Sequence, residues 1–204
     1  MMVLKKASTL VCLVVMAWTL AACAPADLVL VPNYRAVGEH KGAGQLVLGV
    51  ATGGPGATDG VEREQFVYGE VRTTDGKIKG NVLGPVAPAV LVRDALQQEL
   101  ITSGYSVQFD TAAAARQAER GVVLTMSSLS LDEVASLVKI EAECRVQLVL
   151  ELWQQGKLLS RLTYSKTLSD FAVRDREQLH QKVLQKTLAT VMQSATADLT
   201  AYFK

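Results

Sequence analysis

The chain has 204 residues, is 49% apolar, and carries 21 basic against 20 acidic side chains for a net charge of +1. That balance excludes a surface that tracks phosphates with clustered Lys and Arg, so nucleic acid is not an expected partner. The apolar fraction excludes intrinsic disorder.

The first 22 residues have the three parts of an export signal: a basic start at Lys5 and Lys6, an apolar run from Leu10 to Leu20, and small residues before a cysteine. The run is too short for a permanent span, because a helix crossing a hydrocarbon core of about 30 Å needs about 20 residues. Leu20-Ala21-Ala22-Cys23 reads as a lipobox. Leu20, Ala21 and Ala22 would be recognised by the signal peptidase, and the sulfur of Cys23 would take a diacylglyceryl group before the cysteine becomes the N-acylated first residue. Each buried methylene contributes about 0.8 kcal/mol, so two or three chains anchor a protein where one is marginal. Ala24 stands where an aspartate would signal retention in the inner membrane. The expected address is therefore the periplasmic face of the outer membrane. The leader takes two of the 21 basic residues and none of the 20 acidic ones, which leaves the mature charge near zero. Cys12 leaves with it, so Cys144 is the one free thiol and no internal disulfide is expected.

Residues 23–27 form the lipidated N-terminus and a short tether, and 28–204 read as a single periplasmic domain. Leu28 to Val31 is a short β segment stopped by Pro32-Asn33, and pairing it with the body would hold the domain close to the bilayer. Gln45 to Ala51 is a second strand. The Gly-rich stretch 51–65 reads as a flexible loop; it lacks the Gly-Lys-Ser/Thr ending of a phosphate cradle. Phe66 to Thr73 and Ile78 to Leu83 flank Thr74-Asp75-Gly76-Lys77, and the Asp-Gly centre predicts a two-residue type I′ hairpin turn. A helix starts at Pro88, with Ala89, Val92, Leu96 and Leu100 on one side and Gly104 at its end. Tyr105, Val107 and Phe109 alternate as a strand, Thr111 to Arg120 forms a small helix, and Val122 to Leu131 is strand again.

From Ile140 to Leu152 the even-numbered residues are apolar or small and the odd-numbered ones mostly charged, which predicts a long strand with one dry face. Gln155-Gly156 turns the chain into an antiparallel partner carrying Leu158, Leu162, Tyr164 and Leu168. The last helix is capped by Asp175 and buries Leu184, Leu188, Val191, Met192, Ala195, Leu199 and Tyr202. The expected fold is α+β: a mainly antiparallel sheet with two principal helices packed on one face.

No constellation of reactive residues stands out, so no catalytic or metal site is expected, and no cofactor beyond the acyl chains on Cys23. His40 and His180 lie far from any cysteine in the sequence and read as solvated polar residues, since a metal needs three or four clustered donors. Glu141 and Glu143 share a strand face with Lys139 and Arg145, which keeps them ionised. Cys144 reads as a core residue. Trp153, on the wet face at a strand end, is the candidate interface anchor.

The lipobox leader, the early apolar run ending in proline, the Leu-x-x-x-Leu-x-x-x-Gly-Tyr close at Leu96 to Tyr105, the meander, and the end at Ala201-Tyr202-Phe203 together resemble the YajG-type bacterial lipoproteins. Their architecture is similar to that of auxiliary lipoproteins of ABC-type lipid transport. The resemblance implies a non-enzymatic role: an adaptor that binds an envelope protein or complex, or alternatively a transport accessory that contacts lipid. The longer Gly-rich insertion and hairpin between Ala51 and Leu83 depart from that pattern. Only the lipidation of Cys23 carries over residue by residue.

Overall fold

In chain order the strands are β1 (Leu28–Val29), β2 (Gln45–Val50), β3 (Phe66–Thr73) and β4 (Ile78–Gly84), followed by helix α1 (Pro88–Thr102), β5 (Ser106–Thr111) and helix α2 (Ala112–Gln117). The meander β6 (Gly121–Ala135), β7 (Ile140–Gln154) and β8 (Lys157–Ala172) comes next, and helix α3 (Arg176–Tyr202) closes the chain. This computed structural model describes residues 27–39, 41–51 and 65–203.

β7 is the spine. Its alternation buries Ala142, Cys144, Val146, Leu148, Leu150 and Leu152 on one face, and antiparallel ladders join it to β6 on one side and β8 on the other. The Gln155-Gly156 turn has positive φ at both residues, 50° and 81°, as a type I′ hairpin requires. β7 occupies the whole of one edge of β6, so β2 and β3 must share the other. β2 runs parallel to residues Gly121 to Leu124, and β3 runs parallel to Glu133 to Ala135. The sheet therefore forks at β6: β5 extends it beyond β2, while β4 and then β1 extend it beyond β3.

A register shift between Leu124 and Met126 exchanges the faces addressed by odd and even residues of β6. Val122 and Leu124 point into the core before it, and Leu129 and Leu131 after it. α1 and α3 cover this core face, supplying Val92, Leu96 and Leu100 from one helix and Leu184, Leu188, Val191, Met192, Ala195 and Leu199 from the other. The expected α+β fold with two principal helices on one face is the fold observed. α2 lies on the opposite face, where Gly49 and Gly121 admit its backbone. A Cβ on Gly121 would stand 1.7 Å from the carbonyl oxygen of Ala115.

Several local expectations are corrected. The Thr73 to Lys77 turn is not type I′. Gly76 donates its N–H to the carbonyl of Thr73 at 2.8 Å, and only Gly76 has positive φ, so this is a type I turn followed by a left-handed glycine. α2 ends at Gln117 rather than Arg120, because Ala118 already has extended backbone. Asp175 occupies the cap position of α3 in a left-handed conformation, but its carboxylate makes no capping hydrogen bond. At the far end Tyr202 is exposed and Phe203 fills the core position instead. Gly104 does close α1: its N–H reaches the carbonyl of Ile101 and that of Tyr105 reaches Leu100, a Schellman pair.

Candidate functional site

The lipobox residues Leu20, Ala21, Ala22 and Cys23 lie outside the described residues, as do His40 and most of the Gly-rich stretch. The description begins at Asp27, four positions past Cys23, and from there the chain is fastened to the body. Asp27 Oδ1 accepts the backbone N–H of Asn81 at 2.8 Å. Leu28 and Val29 pair parallel to Val82 and Leu83, and fully buried Leu30 donates its N–H to the carbonyl of Leu83 at 2.8 Å.

Past Leu30 the chain leaves the sheet, so its backbone groups need side-chain partners. Two helices provide them. Gln185 of α3 accepts the N–H of Arg35 at 2.9 Å and donates to the same residue's carbonyl at 2.7 Å, replacing a strand neighbour with one amide. Gln181, one turn earlier, donates to the carbonyl of Val31. From α1, the fully buried carboxylate of Glu99 accepts three donors: Tyr34 Oη at 2.7 Å, Val37 N at 3.0 Å and Gly38 N at 2.8 Å. Burial, reinforced by the hydrogen bond and charge of Glu99, pushes the Tyr34 hydroxyl far above its ordinary pKa. An open groove of about 700 Å³ remains beside this strap, lined by Val31, Pro32, Asn33, Arg35, Gln181, Lys182 and Gln185.

A second cluster ties the start of α3 to the sheet. Arg176 Nε donates to Glu133 Oε2 on β6 at 2.6 Å, and His180 Nε2 lies 3.3 Å from the same oxygen. His180 is therefore not solvated, as its isolation in the sequence suggested. Its side chain and that of Glu133 are 0% and 2% exposed. His180 Nδ1 is 2.8 Å from the carbonyl oxygen of Arg176, which makes Nδ1 the donor. Burial pulls the imidazole pKa below its ordinary value, with the Arg176 carbonyl and the Glu133 charge opposing. This arrangement fixes a helix end and offers two metal-type ligands at most. Among the described residues no group of three or more His, Cys, Asp or Glu side chains is placed to hold a metal ion.

The other singled-out residues are dispersed. Glu141 and Glu143 lie on the outer sheet face beside a depression of about 290 Å³ and pair with Lys139 and Arg145, both at 3.2 Å. Cys144 is fully buried, and burial pushes its thiol up to about 12. Trp153 is half-buried at the α2 end of the sheet. Arg116 stacks over its ring at 5.7 Å, and its indole N–H donates to Glu151 at 3.2 Å, so both of its recognition features already have partners within the chain.

The sequence reading missed Glu99, although its place was readable. It falls three positions after Leu96 and seven after Val92, on the apolar stripe rather than opposite it. His180 sits likewise four positions before Leu184.

No family model matches the chain and no curated protein does, so the likeness to YajG-type lipoproteins rests on the sequence features alone. Among solved structures the chain is similar to a Xanthomonas campestris protein of the DUF330 family, with a TM-score of 0.48 at 9% identity over 82% of this chain and 92% of that one. It is also similar to a minor lipoprotein of Acinetobacter baumannii (TM-score 0.41, 11% identity, 82% and 95%). A third is the rare lipoprotein B of Shewanella oneidensis (TM-score 0.36, 12% identity, 64% and 94%). Two of these three are bacterial lipoproteins by name; likenesses this distant carry no activity or partner across.

Proposed function

We propose that this protein is a bacterial envelope lipoprotein, acylated on Cys23 at the periplasmic face of the outer membrane, whose domain serves as a non-enzymatic adaptor for another envelope protein or complex. The observation that carries the reading is the fastening of the chain from Asp27 onward. Asp27, whose carboxylate is pinned to the sheet by the N–H of Asn81, lies four positions past the candidate acylation site. Those four steps span at most about 14 Å at 3.4 Å per residue. A tether that short suits a domain working at the membrane surface. The polar groups that converge in the interior, around Glu99 and around Glu133, bind other parts of the same chain.

The test has two arms. Cys23→Ala in the full chain is expected to accumulate as an unprocessed, unacylated precursor, seen as a mass that retains residues 1–22; normal maturation would contradict the anchoring. Crosslinking the wild-type protein in intact envelopes is expected to recover a protein partner reproducibly, and recovery of none would count against the adaptor role.

A further inference from the structure

One end of the sheet collects the exposed apolar residues that the core does not use. Arg72 of β3 is in register with Ile78 on one side and Val134 on the other, Val134 with Glu141, and Glu141 with Phe171. In-register residues share a face, so Ile78, Val134 and Phe171 lie on one row across the outer side of the sheet. Just beyond that row the β6–β7 turn projects Leu137 and Val138, which are 105% and 75% exposed, and the approach to α3 projects Val173, 71% exposed.

The anchored N-terminus enters from the same end. β1 runs parallel to β4, with Leu28 opposite Val82, so the chain upstream of Leu28 comes from the side of Ile78 and the β3–β4 turn. Asp27 is level with Asn81, which is opposite Glu70. The Arg72 row is two β3 residues further on, and Leu137 three residues past Val134. At about 3.4 Å per residue the tip stands about 17 Å beyond Asp27. The four positions from Asp27 back to Cys23 span at most about 14 Å. A fully extended tether pointing along the strands would therefore bring an acylated Cys23 to nearly the depth of the Leu137-Val138 turn.

The charges at this end are largely spent on one another. Lys77 pairs with Asp75 at 3.1 Å, Lys139 with Glu141 at 3.2 Å, and Arg72 with Glu70 at 2.6 Å. Lys79 and Arg174 stand outside these pairs and Lys139 also lies over the Phe171 ring at 5.7 Å, so a few cations accompany the apolar side chains at the outermost points. We infer that this end of the sheet is a membrane-resting surface: Leu137, Val138, Phe171 and Val173 insert into the headgroup–acyl boundary of the bilayer that holds the anchor, fixing the sheet upright on it. The inference rests on the acylation of Cys23 proposed above and adds an orientation to it. The opposite end, with Trp153 paired to Gly121, is then held about 45 Å away, at 14 residues along β6 from Ala135.

The test uses the acylated mature protein reconstituted into phosphatidylcholine and phosphatidylglycerol vesicles that contain bromine-labelled phosphatidylcholine. Trp18 departs with the leader, so Trp153 is the only native tryptophan of the mature chain and reports from the far end. Leu137→Trp adds a reporter at the proposed contact, and Lys157→Trp adds one at an exposed position of the β7–β8 turn. Bromine quenching of the 137 reporter is expected to be several-fold that of Trp153 or the 157 reporter, and equal in 0.1 and 1 M NaCl. Equal quenching at 137 and 157, or loss of quenching at 1 M salt, would overturn the apolar contact. If the 137 reporter is unquenched while intact mass shows acyl chains and the protein floats with vesicles, the anchor stands and the membrane-resting surface falls. Crosslinks from residue 137 to a protein, with no quenching, would assign the patch to that protein and overturn the inference. Absence of both acyl chains and flotation would remove the anchoring proposal together with it.

Discussion

Replacing Glu99 by Gln should release the strap while leaving the rest of α1 in place. In the wild type one carboxylate oxygen accepts Tyr34 Oη and Val37 N and the other accepts Gly38 N. A carboxamide has a single acceptor oxygen. Turned toward Tyr34 and Val37 it abandons Gly38 and sets an NH₂ against that N–H; turned the other way it abandons two donors. The better arrangement loses one hydrogen bond to a charged group, which costs about 1.5–3 kcal/mol in a buried site. If the strap opens as a local unit, that cost raises amide exchange at Val37 and Gly38 by about 10- to 100-fold. Hydrogen exchange read residue by residue is the assay, with Leu96 and Leu100 on α1 as internal controls. The Tyr34 pKa should fall toward its ordinary value in the same variant, since burial remains but the neighbouring charge is gone. Unchanged protection at Val37 and Gly38 would refute the claim that Glu99 clamps the N-terminal segment.

Three further outcomes follow from the same geometry. Burial holds the His180 pKa below that of the unfolded chain, so between about pH 6.5 and the lower native value the unfolded state binds the extra proton and acid destabilises the fold; denaturant melts from pH 7 to 5 should show a slope of up to about 1.4 kcal/mol per pH unit from this residue, flattened in His180→Gln. Cys144, with its thiol pushed up to about 12 and fully buried, should resist a maleimide at pH 7.5 in the native protein and react stoichiometrically in urea; rapid native labelling would contradict its core position. Gly121→Ala drives a methyl against the backbone carbonyl of Ala115, which no rotamer change relieves, and should cost about 1–3 kcal/mol by urea denaturation.

The parts of this fold that were legible in the sequence are those whose signal is local and repeated. β7 advertises itself by seven alternations in a row, and the end of α1 by Leu100, Gly104 and Tyr105 at Schellman spacing. The fork of the sheet had no such signal, because two separate strands align along one edge of β6 through pairings that span the chain. Parallel partners such as β2 with β5 leave no hairpin turn to betray them. The Asp75-Gly76 pair suggested a type I′ turn, yet Asp75 stays at negative φ because the loop carries one more residue and lets Gly76 alone take the left-handed angle. Glu99 and His180 show a different difficulty. Each stands on an apolar stripe, where a polar residue reads as a break in the pattern until its surroundings are known; the donors to Glu99 lie 61 to 65 positions away, and the carboxylate that faces His180 lies 47 positions away. The half-buried setting of Trp153 has the same origin: the arginine that covers it comes from α2, on the face that the two longer helices leave open.

The anchoring account meets its most direct test in the intact mass of the protein purified from envelopes, followed by fragmentation of its first peptide. The account requires a chain beginning at Cys23 with a diacylglyceryl group on sulfur and an acyl group on the new amine. A chain that retains residues 1–22, or one that begins at Cys23 with a bare thiol, would contradict it.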